Sequence, residues 1–292
     1  MVKNLRNYAE NETLMIQDYV EIRNSKIYYE ITGNPTGDWL VMLHGFSAST
    51  KSWKRQVQEF NKHFRVLNFD LIGHGNSDPL ACERYNAAII ANHLRILMDE
   101  LGIQKAHICG ISLGTTVQQY FSQMFPERIL SLIYTSPVGT PNLLSKFFST
   151  FAGKVFLRLC SKNAFIKIFA HLCLPGKPNE KSRKYFIQEG IKLHEDEFGK
   201  WVKVAIQGDH SLCLTKSDIP TLIVAGGKDY TYFNDAVSLQ SKYTNCEFKV
   251  IENAGHVLIY QEPYYFNEIV IDYINRFNVA STTESEKTAI AA

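Results

Sequence analysis

Short apolar runs alternate with segments of helical periodicity along most of this chain, and that alternation restricts the fold more than any other feature. Residues 39–43 (Trp-Leu-Val-Met-Leu) form an unbroken apolar run, and 64–69 form a second strand of similar length. Runs this short read as strands buried on both faces. Further strands are predicted at 106–109, 129–135, 219–225 and 247–251. Between them lie helical patterns. In 85–101, Ile89, Ile90, His93, Leu94, Leu97, Met98 and Leu101 recur at three-four spacing; 113–125 is stopped by Pro126; 232–243 and 263–277 follow. Strand-helix-strand alternation predicts an α/β fold, with a mostly parallel central sheet flanked by helices. Ahead of it, 19–22 and 26–31 read as two strands around the turn residues Asn24 and Ser25, and 33–38 is a loop of strong breakers.

The alternation stops between residues 138 and 215. This stretch is rich in aromatics and reads as helical throughout. Leu143, Leu144, Phe147, Phe148 and Phe151 make one apolar stripe; Phe165, Ile168, Phe169 and Leu172 make another. It carries 12 basic against 6 acidic residues, a local excess of +6. Because the sheet pattern resumes afterwards, 138–215 is expected to be an inserted helical cap, with 18–137 and 216–277 forming the core. The stripes are expected chiefly to pack the cap on the core, with some residues left to line an apolar pocket. The basic excess reads as a solvated face, or as a means of drawing acidic substrates or a membrane surface to the entrance. Residues 1–17 read as a loose polar arm, and 278–292, Ser/Thr-rich without periodicity, as a disordered tail.

Composition narrows the function classes. Lys and Arg number 31 against 29 Asp and Glu, a net charge of +2, so a nucleic-acid partner is not expected. No apolar run reaches the 18 or so residues of a membrane-spanning helix. The N-terminus lacks the apolar stretch of a secretory signal. The cysteines fall at 82, 109, 160, 173, 213 and 246, with no Cys-x-x-Cys pair for zinc or redox work. Scattered thiols without a signal fit a reducing, cytoplasmic setting, and all six are expected to be structural.

One motif carries chemistry. Gly110-Ile111-Ser112-Leu113-Gly114 matches Gly-x-Ser-x-Gly between a predicted strand and a predicted helix. That is the context of a nucleophile elbow, in which glycines allow a tight turn and the serine stands out of the pleat at the helix N-terminus. A serine nucleophile needs a base, and the base needs an orienting carboxylate. His256 lies in a loop just after the last predicted strand, and Asp229 lies immediately after the strand at 219–225. All three therefore fall just past the C-terminal ends of strands, where open α/β sheets build their sites. Asp235 is the fallback acid, while 136–139 offers no carboxylate. The bland alternative for Ser112 is an unreactive helix N-cap.

With the order Ser, Asp, His, the chain resembles the α/β-hydrolase fold superfamily over roughly residues 20–275 apart from the cap. The likeness rests on His44-Gly45-Phe46, on 70–77 (Asp-Leu-Ile-Gly-His-Gly-Asn-Ser), on the 110–114 motif, on Asp229 and His256, and on Glu262-Pro263 with Phe266. The resemblance implies that Ser112 is the nucleophile, His256 the general base and then acid, and Asp229 its orienting partner. It implies an oxyanion hole made by the backbone N–H groups of Phe46 and Leu113, a donor type worth about 3–4 kcal/mol. Thr115 departs from the Gly-Gly that many members carry after the motif. His44, His74 and Asp70 read as loop-shaping, His93 as a core histidine and Cys109 as a buried thiol.

The expected function is hydrolysis of a carboxylic ester, an EC 3.1.1-like serine esterase or lipase-like reaction through an acyl-enzyme. No cofactor or metal is expected. The expected partner is a small-molecule ester or acyl substrate, with peripheral membrane contact open. A lactonase, thioesterase, amidase or carbon–carbon bond hydrolase could use the same triad, as could a hydrolase-like ligand sensor with slow turnover. Because a protonated imidazole cannot accept the serine proton, activity is expected to fall below about pH 6.

Overall fold

The computed structural model describes residues 14–80, 85–139, 161–207 and 216–290. Eight strands form one sheet: β1 (Leu14–Ile22), β2 (Ser25–Gly33), β3 (Trp39–Leu43), β4 (Arg65–Phe69), β5 (Ala106–Ile111), β6 (Ile129–Thr135), β7 (Thr221–Gly226) and β8 (Cys246–Ile251). Their spatial order is β1-β2-β4-β3-β5-β6-β7-β8. Pairing is antiparallel from β1 to β4 and parallel from there onward. The expected mostly parallel sheet is present. The hairpin turns through Arg23 and Asn24, both at positive φ (50° and 63°), the twist that two-residue hairpin turns favour.

Helices α1 (Lys54–Phe60), α2 (Ala87–Glu100), α3 (Leu113–Met124), α4 (Lys162–Cys173), α5 (Glu180–Lys192), α6 (Glu195–Gln207), α7 (Phe233–Gln240), α8 (Leu258–Gln261) and α9 (Pro263–Ile290) accompany the sheet. Alternate residues of the inner strands enter two separate cores. Val41, Leu67, Ile108, Leu132 and Ile223 pack with residues of α2 and α3. Leu40, Met42, Val66, Cys109, Ile133, Leu222 and Val224 pack with Phe60 of α1 and with Phe266, Val270 and Ile274 of α9. A strand buried on both faces has no polar side to show, which is why these strands read as continuous apolar runs.

Two expectations need revision, and one helix was not foreseen. The first strand begins at Leu14, so part of the supposed loose arm at 1–17 is sheet; its pairing to β2 runs from Leu14 opposite Gly33 to Ile22 opposite Ser25. Helix α1 had no clear apolar signal, because only Gln56 and Phe60 of its seven residues are buried. The last helix is helical to Ile290, beyond the expected end at 277 and into the supposed tail, since a helix held by packing at one end propagates readily. Among the described residues, no helix is long and apolar enough to cross a membrane, and no group of three or more His, Cys, Asp or Glu could hold a metal ion.

Helices α4 to α6 lie between β6 and β7 and make the described part of the insertion. The stripe Leu143 to Phe151 lies outside the described residues. The second stripe divides: Phe165 and Phe169 pack inward, whereas Ile168 and Leu172 are exposed, at 46% and 70%. The buried face of α4 is instead Ile166, Ala170 and Cys173.

Candidate active site

Chain order reverses direction at β3, with β4 on one side of it and β5 on the other. Loops leaving such neighbours diverge and open a crevice at the C-terminal edge. Ser112 stands in that crevice, between β5 and α3. Its backbone lies at φ 52° and ψ −121°, a conformation that costs on the order of 1–3 kcal/mol for a non-glycine residue. The flanking glycines make it possible. A Cβ at position 114 would stand 2.5 Å from Leu43 O and 2.7 Å from His44 O, and one at 110 would stand 2.5 Å from Gln118 Oε1. Thr115, the departure in the motif, fits: its hydroxyl donates to Ser112 O at 2.5 Å and accepts from the Val138 N–H at 3.1 Å.

Ser112 caps nothing with its side chain. Its hydroxyl lies 2.9 Å from His256 Nε2, and His256 Nδ1 lies 2.7 Å from Asp229 Oδ2. The three residues come from loops after β5, β7 and β8, and His256 and Asp229 are both buried. Asp229 Oδ1 accepts a second bond from the Tyr232 N–H at 3.1 Å. Glycine again sets the approach: a Cβ at Gly226 would run into Gly255 O and stand 2.5 Å from Ala254 O. The Lys228 N–H donates to Ala254 O at 2.8 Å, and Gln261 holds the Gly255 N–H at 2.8 Å, so the loops that carry Asp229 and His256 are tied to each other. The fallback acid Asp235 is occupied elsewhere, accepting from the Gly139 N–H at 3.1 Å.

The loop after β3 completes the crevice. Gly45 passes so close to Ser112 that a Cβ there would lie 3.4 Å from the serine Cβ. Two buried imidazoles hold this loop. His44 donates from Nδ1 to Gly45 O at 2.8 Å and accepts the Leu71 N–H at 2.9 Å. His74 accepts the Ser47 N–H at 3.2 Å and donates to Ile72 O at 3.2 Å. Asp70 accepts from the Thr50 N–H at 2.6 Å and the Asn76 N–H at 2.8 Å. These residues shape the loop and do not reach Ser112. Leu113, the first residue of α3, has an N–H with no partner within its helix, as every helix start does.

These histidines make the fold acid-sensitive. Burial pushes His44 and His107 down to about 4, and His74 is driven well below its ordinary value by burial and then by His44. A base lowered in the folded state takes up protons more readily when unfolded. Its contribution is therefore complete above about pH 6.5 and is lost as pH falls toward about 4. By pH 5 the loss is about 2 kcal/mol for each of His44 and His107. Asp70 and Glu30, raised mainly by burial, oppose part of this at the acid end. Urea unfolding midpoints should fall steadily from pH 7 to pH 5, and a flat series would mean that these imidazoles are not held neutral.

A small pocket opens at Ser112. Phe46, Ile111, Phe169, Phe186 and Val257 give it apolar walls, so α4 and α5 of the insertion close it over the core. Phe46 is wedged among Phe165, Phe169 and Phe198, with ring centroids 5.6–6.5 Å away. The insertion is latched further out, where Trp201 donates to Ile72 O at 2.9 Å and Tyr85 donates to the buried Glu197. Three residues at the site carried no signal in the sequence. Tyr232 lies 4.6 Å from the His256 ring, Cys173 lines the pocket with its thiol pushed up to about 12 by burial, and Gly226 permits the loop contact. Cys109, also buried and pushed up to about 12, is the inert thiol expected.

The sequence pattern of the alpha/beta hydrolase fold matches residues 38–263, and the chain belongs to that family. It is 26% identical over 266 residues to an uncharacterized carboxylesterase of Bacillus subtilis (strain 168), covering 88% of this chain and 86% of that protein. It is 22% identical over 285 residues to epoxide hydrolase 1 of Caenorhabditis elegans, covering 89% of this chain and 70% of that one. Among solved structures it resembles the esterase EaEST from Exiguobacterium antarcticum, with a TM-score of 0.80 and 20% identity over 89% of this chain and all (100%) of that one.

Proposed function

We propose that this hydrolase cleaves carboxylic esters through an acyl-enzyme on Ser112. The observation that carries the reading is the unbroken relay from Ser112 Oγ through His256 to Asp229, at 2.9 and 2.7 Å, opening on an apolar pocket. Ser112 Oγ attacks the ester carbonyl while His256 Nε2 takes its proton. Asp229 holds the Nδ1–H, keeps Nε2 free to accept, and stabilises the imidazolium that forms. The N–H groups of Phe46 and Leu113 receive the oxyanion. His256 then protonates the leaving alcohol, and water, activated by the same imidazole, releases the acid.

The likeness to a carboxylesterase supports the ester reading. An alcohol nucleophile at the elbow suits acyl transfer. Initial rates on p-nitrophenyl esters from acetate to palmitate test the proposal. With phenylalanines closing a small pocket, acetate to hexanoate should be turned over fastest and palmitate slowest. No turnover across the series by folded protein would overturn ester hydrolysis and favour a lactone, a thioester, a carbon–carbon bond or a sensor.

A further inference from the structure

His256 borders two spaces. One is the apolar pocket that holds Ser112, Gly45 and Phe46. The other is a larger groove that touches His256 and Asp229 but not Ser112. The two meet at Cys173, His256 and Tyr260, which line both. In acyl transfer to serine, the ester C–O bond breaks as the bond from Ser112 Oγ to the acyl carbon persists. The departing oxygen takes from His256 Nε2 the proton that came from Ser112. The leaving alcohol must therefore sit on the imidazole side, and the acyl chain on the side of Ser112 and the loop after β3.

The groove on the imidazole side is basic. Arg55, Lys181 and Lys228 line it, from α1, α5 and the loop that carries Asp229. Among the described residues its carboxylates are Asp229, covered by His256 and the Tyr232 N–H, and Glu262, so three cations stand against two anions. Arg55 donates to Tyr260 O at 2.9 Å and Lys228 to Asn253 Oδ1 at 3.1 Å; both are neutral acceptors, so neither charge is cancelled. Much of the insertion's basic excess is used up differently. Lys184, Lys192 and Lys200 pair with Glu180, Glu189 and Glu197, which cancels three of its positive charges. Lys181 has no ion-pair partner among the described residues, and it is the one that faces the groove. A cleft with an excess of one sign of charge concentrates ligands of the opposite sign.

Resting on the ester-hydrolase reading above, we propose that this groove receives the leaving alcohol and that the alcohol carries an anionic group, a carboxylate or a phosphate. The acyl part is then apolar and short, and the charge of the substrate lies on its alcohol half.

The test compares p-nitrophenyl butyrate with 3-carboxy-4-nitrophenyl butyrate, which share an acyl group and differ by one negative charge on the leaving phenol. Wild type is set against the double variant Lys181→Gln/Lys228→Gln. The kcat/KM ratio of the anionic to the neutral ester should fall at least fivefold in the variant, through KM. In wild type, but not in the variant, the ratio should also fall between 50 mM and 500 mM NaCl, because salt screens exposed charges. An equal ratio in both proteins overturns the proposal. Competition by benzoate and by phenyl phosphate separates the two anions, the stronger inhibitor naming the group; inhibition by neither counts against the subsite. If wild type turns over neither ester, ester hydrolysis fails, and titration of the product 5-hydroxy-2-nitrobenzoate into both proteins still tests the groove. Binding weakened in the variant supports the groove, and absent or equal binding overturns it.

Discussion

Ser112→Ala is expected to lower kcat/KM on p-nitrophenyl butyrate by about 10⁴- to 10⁶-fold, the scale on which single triad deletions act. The loss arises because the hydroxyl aimed at His256 is the only oxygen that the relay presents to a substrate carbonyl in the pocket. The fold should be unaffected. Ser112 makes no side-chain cap, and alanine accepts the same backbone penalty at φ 52°. Glycine does not share that penalty, so Ser112→Gly should be equally inactive yet more stable than Ser112→Ala by about 1 kcal/mol. Steady-state rates and urea midpoints of the three proteins check both statements. An alanine variant keeping more than about 1% of the wild-type rate, well above the range such deletions leave, would remove Ser112 from the reaction.

Asp229→Asn should lower kcat by about 10⁴-fold with a near-normal fold, whereas Asp235→Asn should change it less than about fivefold. The carboxylate at 229 can only accept at His256 Nδ1, which fixes the proton there and leaves Nε2 as the acceptor for the serine hydroxyl. An amide can turn its NH₂ toward Nδ1, and the imidazole then carries its proton at Nε2, where it cannot act as base. Among the described residues the Asp235 carboxylate accepts from the Gly139 N–H at 3.1 Å and acts on Asp229 and His256 only through its charge, so its loss is felt far less at the imidazole. Rates of the two variants on one ester distinguish the positions. Equal losses would mean that the carboxylate next to the imidazole is not the one orienting it.

Much of this arrangement was legible in the sequence for a physical reason. Strands buried on both faces carry few polar residues, and β5 and β6 tuck His107 and Ser131 into one hydrogen bond at 2.7 Å, so β3 and β5 to β7 still stand out as largely apolar runs with the motif residues at their ends. Helix α1 did not stand out, because a helix that buries two of seven residues has almost no periodicity to read. The site's closest supports were also hidden. Gly226 reads as a turn glycine until the chain brings Ala254 and Gly255 against it, and Cys173 reads as one thiol among six until α4 folds over the crevice. Tyr232 precedes an ordinary helix, and only the fold puts its ring on His256. The basic groove is of the same kind: Arg55, Lys181 and Lys228 are far apart in sequence, and their common direction exists only once α1, α5 and the loop after β7 are packed. Contacts between distant segments leave no local pattern, so composition could register the charge of the insertion but not its placement.

The most direct test of the central claim is to treat the protein with an excess of a fluorophosphonate, measure the intact mass and map the modified peptide. Such a reagent phosphonylates a serine only when a base activates it and donors stabilise the forming oxyanion. The account predicts one adduct, on Ser112, with loss of ester turnover in step with labelling, slower labelling in Asp229→Asn and none in Ser112→Ala. Full turnover with no adduct, or an adduct on another residue, would contradict Ser112 as the nucleophile.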